Sequence, residues 1–205
     1  MPTMTKILSV WALVALCVFS AYGQRMSAGI RAGVNFSHIR TETDLIGYSF
    51  PSGRTGYHVG YFVTAMFSDI FGAQGEMLYS SVGYKVRSTA HKLDYLVVPL
   101  LFRYQSSPVL SVHVGPQIGY LISAKLKSED DSEDISNGHK GFDLGLAVGA
   151  EAHLPFALGI SARYVAGLLN AFDNDLLGGR VKIYNQVLQL SVTWTLSGEL
   201  KPDDQ

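Results

Sequence analysis

The feature that most constrains this chain is an alternation of apolar and polar side chains with a period of two residues. Residues 141–152 show it clearly, because Phe142 and Leu144 have one parity whereas Asp143 and Glu151 have the other. Successive side chains of a β-strand point to opposite faces, so the alternation predicts strands rather than amphipathic helices. Eight segments are predicted as strands: 26–39, 56–67, 72–87, 93–105, 109–125, 141–153, 157–170 and 183–197.

The lengths of these segments and of their connections indicate a membrane protein. Strands of soluble domains usually have about five or six residues, whereas a tilted strand that crosses a membrane needs about nine to eleven. Long loops on one side of a barrel and short turns on the other are typical of outer-membrane barrels. The connections alternate in this way, with polar ones at 40–55, 88–92, 126–140 and 171–182 and tight turns at 68–71, 105–108 and 154–157. The sequence therefore predicts an all-β fold, an eight-stranded antiparallel up-and-down transmembrane β-barrel over residues 24–197.

Charged residues make up 16% of the chain, below the roughly 25% of soluble domains, and those in the predicted strands lie mainly on one face. The opposite face is apolar and aromatic. A soluble ligand-binding barrel would reverse this arrangement, with apolar side chains inside and charges outside. The face predicted to point inward carries Arg31, Asn35, His58, Gln74, Glu76, Arg103, His113, Gln117, Asp143, Glu151, Arg163 and Gln189.

Six of these inward residues carry charges that balance. Eight strands enclose a lumen that side chains fill, and buried charges must pair to be tolerated. We therefore predict a structural polar network in the lumen, without catalytic, cofactor-binding or metal-binding residues. Its members are Arg31, Glu76, Arg103, Asp143, Glu151 and Arg163. A proton or ion path through this network is an alternative.

Aromatic residues concentrate toward the predicted strand ends, as in the girdles that mark membrane interfaces. The set is Phe36, Tyr57, Phe67, Phe71, Tyr104, Tyr120, Phe142 and Trp194. A change of parity after Tyr79 predicts a β-bulge near Ser80–Ser81. Pro99 and Pro116 lack an amide donor and predict bulges or locally unpaired positions. Several inward glycines are expected to make room for large inward side chains: Gly29, Gly33, Gly60, Gly115, Gly119, Gly145 and Gly149.

The N-terminus carries a targeting signal. Lys6 precedes the apolar run 7–19, and Ala21 and Gly23 stand where a cleavage site requires small residues. Residues 1–23 are therefore predicted to be a secretory signal peptide. An uncleaved membrane anchor is the alternative, although the run is short for a span of about 20 residues.

The remaining terminal features refine this prediction. Cys17 follows Leu16 rather than a small residue, which argues against a lipoprotein signal. Cleavage leaves a chain without cysteine, and hence without disulfide or thiol chemistry. Trp194 and Leu196 occupy the last predicted strand, and residues 198–205 form a predicted polar tail.

Three segments resemble strand motifs of the PorT-like outer-membrane β-barrel family. They are AGIRAGVNFSHI at 28–39, LDYLVVPLLFRY at 93–104 and VHVGPQIGYLISAK at 112–125. The first follows the family's Gly-x-x-x-Gly-x-Asn-x-Ser pattern through Gly29, Gly33, Asn35 and Ser37. The resemblance extends in order along the chain after residue 23 and implies an outer-membrane barrel, but these short motifs carry no activity.

Other candidate sites have weak signals. The acidic run Ser128–Asp134 lacks the glycine and terminal glutamate of an EF-hand loop, so we expect a solvated loop, with cation bridging to lipopolysaccharide as an alternative. The six histidines have no metal-pair spacing. A lipid-modifying site near the outer loops would draw on His91 and Asp44 with Ser88 or His139.

We therefore expect a non-enzymatic outer-membrane protein of structural or interaction type, which displays its loops or serves an envelope complex. The expected partners are outer-membrane lipid and lipopolysaccharide, the barrel-assembly machinery and other envelope proteins, without a cofactor. The 16 basic and 17 acidic residues argue against nucleic acid. A narrow channel, a lipid-modifying enzyme and a secreted soluble barrel are the alternatives.

Overall fold

The computed structural model describes residues 25–41, 52–86, 89–127, 132–134, 141–168 and 183–198. These residues form antiparallel β-strands joined by turns. The strands are β1 (Arg25–Thr41), β2 (Ser52–Met66), β3 (Phe71–Val86), β4 (Thr89–Gln105), β5 (Leu110–Lys127), β6 (Ser132–Asp134), β7 (Phe142–His153), β8 (Leu158–Gly167) and β9 (Ile183–Ser197). Within the described ranges, no helix has the length and apolar character needed to cross a membrane.

Eight of these strands close into a barrel, which confirms the predicted fold class. Strands β1 to β5 pair in sequence order, and so do β7 to β9. β5 pairs with β7, and β1 pairs with β9 to close the ring. The short β6 stands outside the ring, where it pairs with Lys125–Lys127 at the end of β5. We call the end with turns 67–70, 106–109 and 154–157 the turn end, and the opposite end the loop end.

At the loop end, several strands are longer than the sequence predicts. β2 begins at Ser52, and β4 begins at Thr89, which pairs with Val86. The predicted long connection at 88–92 is therefore wrong, since only two residues separate β3 from β4. The polar residues of this segment resemble a loop in sequence. Hydrogen bonds between strands use backbone groups, however, so polar side chains do not end the ladder between β3 and β4.

A register shift lies in β2 rather than at the bulge predicted near Ser80–Ser81 in β3. Five residue steps from Gly53 to His58 oppose four steps of β3, so the extra residue belongs to β2. β3 pairs with β4 over the same region without a shift. Val82 is buried in the interior and keeps the inward parity of β3. The predicted change of parity is therefore wrong. It assumed that an apolar residue such as Val82 must face outward, whereas the lumen is apolar at this position.

The two prolines lie at interruptions of the ladder. Pairs between β3 and β4 omit Pro99 and the residue before it, and pairs between β4 and β5 omit Pro116 and the residue before it. Neither interruption changes the register, so the locally unpaired positions are confirmed without a bulge. A Cβ at Gly33 would collide with the carbonyl oxygen of Leu190. This glycine therefore allows two strands to approach closely, rather than only making room for side chains.

The outer face of the barrel is apolar and exposed. All eight aromatic residues predicted near strand ends lie there, with 40–63% of their surface accessible. At the turn end, the ring of Phe71 lies 5.6 Å from that of Phe102 and 5.5 Å from that of Tyr104. At the loop end, the rings of Tyr57 and Tyr79 are 5.9 Å apart. The aromatic residues thus form two groups, one near each end of the barrel.

The turn between β7 and β8 has an unusual backbone for its sequence. Phe156 and Ala157 have φ angles of 62° and 60°, and the Leu158 amide donates to the Pro155 carbonyl at 3.4 Å. Two successive left-handed residues are typical of a type I′ turn, which usually carries Asn-Gly. The left-handed conformation costs an L-residue about 1–2 kcal/mol. The side chain of Phe156 does not pack against the barrel, because the residue is 89% exposed.

Candidate functional site

The candidate residues lie in the interior of the barrel. Gln117 and Asp143 are partly buried. The other ten predicted inward residues are at most 4% exposed: Arg31, Asn35, His58, Gln74, Glu76, Arg103, His113, Glu151, Arg163 and Gln189. The structure thus places the polar face of the strands inside the ring, where backbone and side-chain partners surround it.

A bidentate ion pair crosses the lumen. Arg163 on β8 donates from Nη1 to Oε2 of Glu76 at 2.8 Å and from Nη2 to Oε1 at 2.7 Å. β8 and β3 lie four strands apart around the ring in either direction, so this pair joins opposite walls. Gln74 also donates to Oε1 of Glu76 at 2.6 Å, and Nε of Arg31 lies 3.4 Å from the same oxygen. Bidentate, charge-assisted contacts of this kind fix geometry as well as adding energy.

Glu151 on β7 is the second carboxylate at this level. Arg31 donates to its Oε2 at 2.6 Å, and Nη2 of Arg103 lies 3.6 Å from its Oε1. Thr193 donates to Oε1 at 3.3 Å. The other amino group of Arg31 donates to Ser161 Oγ at 2.7 Å. Arg31 therefore lies between the two carboxylates and links them into one cluster.

Two histidines accept from the arginines. Arg163 Nε donates to His113 Nε2 at 3.1 Å, and Arg103 Nη2 lies 2.6 Å from His153 Nε2. A guanidinium group only donates, so both imidazoles accept through Nε2 and are neutral in this arrangement. Arg103 also donates to Gln74 Oε1 at 2.5 Å. Neither histidine adds positive charge to the cluster.

The structure brings together five of the six residues predicted to form the lumen network. We call Arg31, Glu76, Arg103, Glu151 and Arg163 the charge cluster. Asp143 lies elsewhere, because it is eight residues from Glu151 on β7 and a strand rises about 3.3 Å per residue. It borders a cavity toward the loop end. The charge cluster therefore has three guanidinium groups and two carboxylates, rather than the balanced charges that the sequence predicts.

A second polar group lies closer to the loop end than the charge cluster. The amide of Asn35 donates to Ser80 Oγ and to the Ser81 carbonyl, each at 3.0 Å. His58 is 2.8 Å from Asn35 Oδ1 through Nδ1 and 2.8 Å from Ser191 Oγ through Nε2. The sequence placed Asn35 and His58 inside, and the parity of β9 places Ser191 there as well, but no spacing predicts that the three meet.

The order hydroxyl, imidazole, amide in this group is one that acyl-transfer enzymes use. Ser191, His58 and Asn35 are each at most 4% exposed. The adjoining cavity borders Ser80 and Gln189 rather than Ser191. A nucleophile needs a position for the reacting atom beside it, and the described part of the lumen shows none here. These hydrogen bonds join β1, β2 and β9.

Apolar residues fill much of the loop half of the lumen, which the sequence prediction of a polar interior missed. The cluster includes Leu78, Val82, Leu93, Tyr95, Val97, Leu121, Ala147, Val165 and Val187. The cavity beside it has a volume of ≈ 30 Å³ for the centres of water-sized spheres. A buried water needs at least about 10–15 Å³ on this measure, so the cavity has room for about two waters.

The described residues contain no group of three or more His, Cys, Asp or Glu side chains arranged to hold a metal ion. His91 lies in β4, whereas Asp44, Ser88 and His139 lie outside the described residues, so the alternative of a lipid-modifying site is not tested. The same holds for the signal peptide, for most of the tail and for cation binding by the acidic run, of which β6 is the described part.

A family model described as an outer membrane protein beta-barrel domain matches residues 20–173. The chain belongs to this outer membrane β-barrel family. It is therefore an integral protein of the bacterial outer membrane, and its apolar outer face contacts lipid. In outer-membrane barrels the short turns are periplasmic and the long loops extracellular. The turn end of this barrel therefore faces the periplasm, and its loop end faces outward.

Solved structures of outer-membrane proteins are similar to this chain at low sequence identity. Neisserial surface protein A (NspA) is 13% identical, with a TM-score of 0.55 over 82% of this chain and 99% of that chain. Ail, the attachment invasion locus protein of Yersinia pestis, is 18% identical, with a TM-score of 0.47 over 83% and 99%. OprG from Pseudomonas aeruginosa is 15% identical, with a TM-score of 0.44 over 84% and 95%. No curated protein sequence matches this chain.

Proposed function

We propose that this protein is a closed scaffold in the outer membrane that presents its extracellular connections to other envelope components. The filling of the lumen carries this proposal. An ion on its way through would have to break the Arg163–Glu76 pair in the periplasmic half. It would then have to lose its hydration beside Leu78 and Val97 in the extracellular half. Both steps are costly, and the cavity of ≈ 30 Å³ is too small for an ion with its hydration shell.

The surfaces left for function are the lipid-facing wall and the connections at the extracellular end. Connections 42–51, 128–140 and 169–182 carry polar and charged sequence, and loops on a rigid barrel are where outer-membrane proteins vary. We infer envelope proteins and lipopolysaccharide as the partners of these connections. The motifs at 28–39, 93–104 and 112–125 support assignment to the PorT-like group within the family.

A matched set of variants tests this proposal. One variant replaces 171–180 with a short glycine- and asparagine-rich turn, and a second replaces 44–50 in the same way. Heat-modifiable migration on gels verifies that each variant forms the barrel. Tagged wild-type and variant proteins are then cross-linked in intact envelopes, and the partners are recovered and compared.

We expect at least one cross-linked partner to be lost in one variant and retained in the other, and no conductance steps for the wild-type protein in planar bilayers at high salt. Recovery of the same partners from the wild type and both variants would overturn display by these connections. Discrete conductance steps would overturn the closed scaffold and favour a channel.

A further inference from the structure

The turns of the periplasmic rim carry large exposed apolar side chains. The turns at 106–109 and 154–157 contain no charged residue, and in the turn at 67–70 Asp69 pairs with Arg25. Turns that face water usually carry Gly, Asn, Asp and Ser, and two of these turns do contain serine. The three turns nevertheless add five large apolar side chains that are 40–89% exposed, Phe67, Ile70, Val109, Leu154 and Phe156, which we call the apolar rim.

At the β7–β8 turn the rim continues the lipid-facing belt without a charged residue. Leu158 and Trp194, which pair at the start of β8, are outward and exposed, and Leu154 and Phe156 extend the same surface to the tip. The extracellular end differs. There the exposed apolar residues of β4 end at Leu96, and Lys92 and Asp94 follow as an ion pair at 2.8 Å.

The backbone of the β7–β8 turn gives independent support. Phe156 and Ala157 keep a left-handed conformation that Asn-Gly would adopt with less strain. Strained residues persist where their surroundings compensate for the strain. A phenyl ring that is 89% exposed in the isolated chain gains most from an apolar environment, and aromatic rings prefer the level of the lipid headgroups.

We propose that the apolar rim is embedded in the inner leaflet of the outer membrane, so that Phe156 and its neighbours contact phospholipid rather than periplasmic water or protein. The periplasmic boundary of the membrane then lies at or beyond the turn tips. The Arg25–Asp69 pair marks where the barrel meets the headgroups.

Tryptophan quenching in lipid vesicles tests this placement. The chain from residue 24 onward contains one tryptophan, Trp194. The reporter variant combines Trp194→Phe with Phe156→Trp, and the water-exposed control combines Trp194→Phe with Asp204→Trp in the predicted tail. The wild-type protein, with Trp194 on the lipid-facing wall, is the membrane-embedded control. Each is refolded into phosphatidylcholine vesicles with bromine near the headgroup end of the acyl chains.

We expect bromolipid to quench the tryptophan of the reporter variant at least about twofold more than the tail tryptophan, because an aromatic ring at the interface meets the acyl chains. Iodide in the water should quench the reporter less than it quenches the tail. Strong iodide quenching with weak bromolipid quenching would overturn the proposal. Protection from iodide that occurs in native envelopes but not in pure lipid vesicles would also overturn it and would indicate a periplasmic protein at the rim.

Discussion

Arg163 and Glu76 join opposite walls of the lumen through hydrogen bonds of 2.7 and 2.8 Å, although 87 residues separate them in sequence. Both side chains are buried from solvent. The surrounding charge cluster has one more guanidinium than carboxylate, so its two carboxylates are the scarce component. Loss of a carboxylate raises the excess positive charge, whereas loss of an arginine removes that excess. The cost of losing an arginine should therefore be lower than that of losing a carboxylate, except for Arg163, which holds the bidentate pair.

Replacement of Glu76 should be among the most destabilising changes in the lumen. Glu76→Gln takes away the carboxylate that holds Arg163 through two bonds and leaves Arg31 with its pair to Glu151, and breaking a buried pair costs about 3–5 kcal/mol. The free energy of unfolding in urea, followed by Trp194 fluorescence in lipid vesicles, measures this. The control is Asp69→Asn in the exposed Arg25–Asp69 pair, which should cost less than about 1 kcal/mol. Similar losses for both variants would contradict the burial of Glu76.

The arginines should differ from one another. Arg103→Gln leaves two guanidinium groups and two carboxylates, and Gln74 Oε1 keeps the hydrogen bond from Thr64 at 3.0 Å. His153 Nε2, in contrast, loses its guanidinium donor. We expect a loss of about 1–3 kcal/mol, as for an unsatisfied buried acceptor. Arg163→Gln removes both bonds to Glu76 and should cost about 3–5 kcal/mol. The same unfolding assay compares the two, and a larger loss for Arg103→Gln would contradict the importance of the bidentate bond between Arg163 and Glu76.

The sequence predicts which side of the wall each residue faces, because side-chain parity is local. It does not predict which inward residues meet, since the level of a side chain in the lumen depends on strand register and on stagger between strands. Asp143 and Glu151 illustrate the difference. Their separation of eight residues along one strand, at about 3.3 Å per residue, already excludes both from one compact cluster. The distance along the strand is thus a usable signal that parity omits.

The register features were less accessible to prediction. The extra residue of β2 between Gly53 and His58 is defined only by its partner strand. The sequence does not predict the start of β4 at Thr89, because polar residues there resemble a loop although their backbone pairs with β3. The position of Val82 inside the barrel depends on the apolar layer opposite it, which several distant strands build together.

The lipid-facing surface gives a depth-dependent prediction. Val148 and Phe142 are both 50% exposed on the outer face of β7, one near mid-height and the other near the extracellular end. An arginine on the lipid face costs about 2–4 kcal/mol at the midplane and about 0–1 kcal/mol near an interface. Val148→Arg should therefore lower the free energy of unfolding in vesicles far more than Phe142→Arg.

An inward control separates lipid exposure from crowding. Ala147 is 0% exposed and packs within the lumen, so Ala147→Arg should prevent heat-modifiable folding in detergent as well as in lipid, because overpacking does not depend on the bilayer. Val148→Arg should fold in detergent, where its side chain reaches water. Equal tolerance of both variants in detergent would contradict the assigned faces.

The left-handed turn gives a prediction with the opposite sign. Ala157→Gly should relieve about 1–2 kcal/mol of strain at φ 60°, while the extra freedom of glycine in the unfolded chain costs about 0.4–1 kcal/mol. The balance favours a gain of up to about 1 kcal/mol in the free energy of unfolding, measured in urea with lipid vesicles. Ala150→Gly, in the regular part of β7, is the matched control and should instead lose about 0.5–1 kcal/mol. If the two substitutions destabilise equally, residue 157 does not adopt the left-handed conformation in the membrane.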